Sequence, residues 1–181
     1  MTEQAKSDRK AEKLSYGAMA LRVFLTLLVV AMGVLWIYAF FLAPAGNPDR
    51  MEDRSWPEAA QVRCLAARAD IALLPTARQA ESPAERATDL DEATVIIRDL
   101  VNDLAMIPGG TDHDRSLVAF WIADWEIYLA DRLTHANRLR SDGDVKPLLT
   151  ALPSGSGSFL ERMNGFARVN DFEACLDPGD M

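Results

Sequence analysis

The apolar residues of this chain form one unbroken block and then a series of periodic ones. Over residues 23–43, VFLTLLVVAMGVLWIYAFFLA, no position is charged and Thr26 is the one clearly polar residue. At about 1.5 Å of rise per residue the block makes a helix of roughly 31 Å, the thickness of a bilayer's hydrocarbon layer. The pattern predicts a transmembrane helix. Trp36 and Tyr38 in its second half suit a membrane interface, and Pro44, Gly46 and Pro48 then break the helix. A cleaved signal peptide is the competing reading, because APA at 43–45 fits a small-residue cleavage pattern, but the apolar run exceeds the usual length of such a region.

Beyond the block, apolar positions recur at helical spacing. SWPE at 55–58 has the form of a capping box, with Ser55 as N-cap and Glu58 reaching back, and the pattern after it runs to Leu74 before Pro75. SPAE at 82–85 repeats the device, and Leu90, Thr94, Ile97, Val101 and Leu104 follow on one face until PGG at 108–110. A third helix is expected after TDHD at 111–114, capped by Thr111 or Asp112, and running to about Arg140. KPLLTAL and SFLERM, joined by PSGSGS, then predict a short β-hairpin near 145–162, with a disordered loop as the alternative. A last short helix is expected around 165–172. The predicted fold is mainly α: one transmembrane helix and a small extracytoplasmic bundle of three to four helices. The organisation reads as a cytoplasmic tail 1–22, a span 23–43, a linker 44–54 and a domain 55–181.

Charge supplies the orientation. Lys6, Arg9, Lys10, Lys13 and Arg22 precede the span, against Arg50, Arg54 and Arg63 in the twenty residues after it, so the positive-inside bias puts the N-terminus in the cytoplasm and the C-terminal domain outside. The first 22 residues have five basic and three acidic side chains, a net of +2, which against −8 for the whole chain leaves −10 beyond them. A domain so acidic repels polyanions, and nucleic acid is not expected as a partner. In the oxidising compartment that this orientation implies, the two cysteines, Cys64 and Cys175, are most simply a disulfide.

The densest chemistry lies in WIADWEIYLADRLTH, residues 121–135. At 100° per residue, Trp121, Trp125, Tyr128 and Arg132 fall on one stripe, which reads as a core face rather than a ligand site. Arg132 would then need acidic partners, and Asp171, Glu173 and Asp177 of the tail or Asp99 and Asp103 of the second predicted helix are the candidates. Asp131 and His135 stand four apart, and Asp112, His113 and Asp114 form a second cluster, making these five the candidate metal ligands. The signal is weak: HExxH and paired ExxH motifs are absent. GxSxG, P-loop and GxGxxG patterns are absent too, so neither an enzyme nor a bound cofactor is expected.

WIADWEIYLADR, followed by FARVNDFEACLDPGD, resembles a pattern in single-span proteins of high-GC, actinobacterial-type bacteria that have no assigned function: a Trp-rich helix, then Phe-Ala-x-x-Asn, a cysteine and a Pro-x-Asp ending. The resemblance implies an anchored extracytoplasmic helical domain and a Cys64–Cys175 bridge, and it implies no activity. The expectation is a non-enzymatic interaction module, an accessory or scaffold subunit whose partner is a membrane or envelope protein. The alternative is an extracytoplasmic sensor binding a metal or small ligand.

Overall fold

The apolar block is helical from Val23 to Leu42. In the computed structural model, which describes residues 2–42 and 46–181 and their side chains from Met19 onward, α1 runs over Thr2–Ile37 and continues as a π-helical turn at Tyr38–Leu42. Within it Met19–Leu42 has a mean hydropathy of 2.5 and is long and apolar enough to cross a membrane. Leu27, Val29 and Phe41 lie open on its surface, while Thr26 satisfies its hydroxyl by donating to the carbonyl of Arg22 at 2.9 Å. The APA pattern at 43–45 lies outside the described residues. The chain divides into two compact units, Met1–Gly46 and Asn47–Met181.

The second unit is a helical bundle. It contains α2 (Ser55–Ile71), α3 (Pro83–Ala105), α4 (Asp112–Asp142), α5 (Phe159–Val169) and a 3-10 turn at Glu173–Cys175. The long α4 is the axle: α3 and α5 pack against it, and α2 packs against α3 and the 3-10 turn. Trp56, Trp121, Trp125, Tyr128, Met163 and Phe172 are buried between them, and Trp121 meets Trp56 and Phe172 edge-on with ring centroids 5.8 and 5.2 Å apart. Offset edge contacts of this kind favour aromatic pairs beyond their buried area.

Local capping sets the starts of α3 and α4. Ser82 accepts from the Glu85 N–H at 3.2 Å, and Thr111 and Asp114 form a complete capping box. SWPE does not cap: the helix already includes Ser55, whose N–H donates to Asp53, while Arg54 stands at the N-cap without a side-chain bond.

The expected hairpin is corrected to a turn. Among the described residues there is no strand, only one antiparallel bridge, Ala151 to Ser158, with Gly157 at a φ of +80°. The cause is another capping box: Ser158 and Glu161 cap each other reciprocally, so SFLERM turns helical at Phe159. The last helix accordingly starts before the expected 165 and stops at Val169. It ends in a Schellman motif, with Asp171 left-handed at φ 59° and the Phe172 N–H bonded to the Ala167 carbonyl at 3.1 Å.

Residues 47–54 of the expected linker fall in the same compact unit as the bundle. Met51 is buried, and its N–H donates to Asn170 Oδ1 at 2.8 Å. Asn170 Nδ2 donates to the Asp49 carbonyl, and Arg50 and Arg54 both reach Asp171.

Candidate functional site

The aromatic stripe of α4 is core. Trp121 is 2 % exposed and donates its Nε1–H to the Met163 carbonyl at 3.0 Å, which ties α4 to α5. Trp125 and Tyr128 are equally buried. Burial pushes the Tyr128 hydroxyl far above its ordinary value, against the pull of the neighbouring Arg132.

Arg132 is completely buried, and the acid it meets is none of the five expected. Both Nη atoms donate to Asp180, at 2.5 and 2.6 Å, and Nε donates to Thr94 Oγ1 at 2.9 Å. Of the expected partners, Asp177 is taken by Asn164 at 2.7 Å and Asp171 by the arginines ahead of α2. Burial opposes the charge of Arg132, but Asp180 outweighs it and keeps the guanidinium protonated. A second pair escaped the sequence reading: Asp124, 4 % exposed, takes a bidentate contact from Arg162 at 2.8 and 2.5 Å.

The candidate metal ligands do not come together. Asp114 is fully buried and accepts from the N–H groups of Glu52, Asp53 and Thr111 and from the Thr111 hydroxyl, at 2.8 to 3.2 Å. Burial alone would raise its pKa; those donors outweigh it and hold the carboxyl below its ordinary value. Asp112 pairs with Arg115, and His113 is exposed. Asp131 accepts from the N–H and hydroxyl of Thr150 at 2.8 and 2.6 Å. His135 is buried with neither ring nitrogen bonded. One continuous helix carries both clusters, and the 17 residues from Asp114 to Asp131 correspond to roughly 25 Å along its axis. No ion spans that distance, and among the described residues no three His, Cys, Asp or Glu side chains are grouped to hold one.

The disulfide is formed. Cys64 of α2 and Cys175 of the 3-10 turn are bonded with their Cα atoms 5.1 Å apart, joining residues 111 positions apart in sequence. Arg68, one turn further along α2, donates to the carbonyls of Ala174, Leu176 and Asp177. Asn170, the asparagine of FARVN, bonds the opposite side of the tail to residues 49–54. No family model, curated protein or solved structure matches this chain.

Proposed function

We propose that the chain is a single-span membrane protein whose Asn47–Met181 unit lies outside the cytoplasm and works as a non-enzymatic interaction module, an accessory or scaffold subunit of a larger membrane or envelope complex. The observation that carries this reading is where the reactive side chains are spent. Asp114 closes a helix cap, Asp131 holds a loop, Arg132 docks the tail and the tryptophans fill the core. Side chains committed to internal bonds of this kind hold a surface in shape, which is what an interaction module requires.

Two further features support the location. The Cys64–Cys175 bond suits an oxidising compartment, and the excess of basic residues before Met19–Leu42 suits a cytoplasmic N-terminus. The connection from span to domain is short in sequence, which favours a partner close to the bilayer.

The test is isolation of the full-length chain from its native membrane in mild detergent, with mass spectrometry of proteins and metals. A membrane or envelope protein recovered in stoichiometric amount is expected. Recovery of the chain alone with a bound metal would overturn the reading in favour of a sensor.

A further inference from the structure

The last turn of α2, the connection to α3, the first half of α3 and the tail residues 178–180 surround a cavity of about 590 Å³. Ile71, Leu74 and Leu90 contribute apolar wall, and Arg68, Arg78 and Arg86 bring guanidinium groups to it from three segments of the chain. Small-ligand sites typically combine this range of volume, about 300–1,000 Å³, with apolar walls and a few polar groups.

Charge distinguishes this cavity. Acids outnumber bases 27 to 19 in the chain, and arginines such as Arg132, Arg140 and Arg162 each meet an aspartate. Arg68 instead donates to three neutral carbonyls, and Arg78 has neither a hydrogen-bond nor an ion-pair partner among the described residues. Arg86 is paired through Nη1 at 3.1 Å with Asp144, whose carboxylate is 80 % exposed. Two carboxylates also line the cavity, Asp180 and Asp89. Arg132 neutralises Asp180, and Asp89 has no hydrogen-bond or ion-pair partner among the described residues, beside three arginines.

We propose that the cavity binds the C-terminal residue of a polypeptide ending in an apolar side chain. The side chain lies against Ile71, Leu74 and Leu90, the carboxylate meets Arg78 and its neighbouring arginines, and the adjoining amide N–H faces Asp89. A carboxylate beside a hydrogen-bond donor is the chemistry that satisfies arginines and a lone aspartate together. The proposal rests on the interaction-module reading and gives it a recognition element. A free N-acyl amino acid carries the same chemistry, so the experiment separates the two sources.

Full-length protein in phosphatidylcholine nanodiscs is titrated calorimetrically, against empty nanodiscs, with N-acetyl-leucine, N-acetyl-leucinamide and acetyl-Ala-Ala-Leu. Saturable binding is expected, with the tripeptide acid tightest and the amide weaker by about tenfold or more, the loss expected of one charge-assisted hydrogen bond. Arg78→Gln and Ala77→Trp, both at exposed positions, should each weaken the acids by a similar factor with unchanged melting. No saturable binding, or equal binding of acid and amide, overturns the site; N-acetyl-leucine binding as tightly as the tripeptide overturns the polypeptide as its source. In the membrane isolation, a partner that persists with Ala77→Trp overturns the cavity proposal and leaves the interaction reading standing. Absence of any partner from the wild type defeats that reading itself.

Discussion

Arg132, in the middle of α4, is bonded through both Nη atoms to Asp180, the penultimate residue of the chain. The guanidinium has 0 % of its surface exposed and the carboxylate 24 %, so the two ends of the pair are not equivalent. With the pair intact, the arginine has no surface open to water and the aspartate has some. Thr94 on α3 holds the third donor, so one side chain couples α3, α4 and the tail.

Removing Asp180 should therefore cost more than removing Arg132. Asp180→Ala strands a buried charge, a loss of about 3–5 kcal/mol, whereas Arg132→Met replaces it with an apolar side chain of similar reach and leaves an acid that water can solvate. Urea unfolding of both variants checks the order. Equal losses would remove the predicted asymmetry between the two ends, and unaltered stability in both variants would show that the pair does not dock the tail.

The Cys64–Cys175 bond acts on the same tail through the unfolded state. A closed loop of 111 residues should contribute about 4–5 kcal/mol by limiting the unfolded chain. The double variant Cys64→Ala, Cys175→Ala should unfold at lower urea and with a steeper dependence on urea, because its unfolded chain expands further. An unchanged midpoint would mean that Arg68 and Asn170 fasten the tail without the bond.

How much of this was legible in the sequence depended on whether the cause was local. The extents of α3 and α4 follow from apolar spacing and from caps such as Ser82 and Thr111, all within a few residues, and the tryptophan stripe follows from the same spacing. SFLERM carried an equally local signal, Ser158 with Glu161, but the glycines and serines before it suggested a hairpin. Arg132 was recognisable as needing a partner; choosing Asp180 over Asp177 required the path of the tail after the left-handed Asp171, which no spacing rule supplies. Asn170 was invisible as a hub because its contacts at residues 49–54 are more than a hundred positions away. The cavity between the α2–α3 connection and the tail was hidden for the same reason.

Asp114 should govern stability in acid. Its pKa is lower folded than unfolded, so its contribution is complete above the unfolded value of about 3.9 and is lost as pH falls through the folded one. Asp114→Asn keeps the shape but sets an amide among three N–H donors, at a cost of about 1–3 kcal/mol near neutral pH. Unfolding measured between pH 5 and pH 2 should show the acid-dependent loss in the wild type and a shallower one in the variant. Parallel profiles would remove Asp114 as the group responsible.

His135 should act in the milder range. Burial lowers its pKa, and Arg86 of α3 and Arg138 and Arg132 of α4 lower it further, against the opposing charge of Asp144. Neither ring nitrogen has a partner that would repay protonation. Because the unfolded histidine binds a proton near pH 6.5 and the folded one only at lower pH, stability is complete above that value and falls below it, by at most about 1.4 kcal/mol per pH unit for one proton. His135→Leu keeps a buried side chain of comparable bulk and cannot titrate. Urea unfolding at pH 7.5 and 5.5 should then find the wild type weakened by the lower pH and the variant nearly level. The other histidine, His113, is exposed and has no such burden to impose. Equal weakening of both proteins would mean that the folded His135 takes up its proton as readily as the unfolded one, with the arginines around it moving aside.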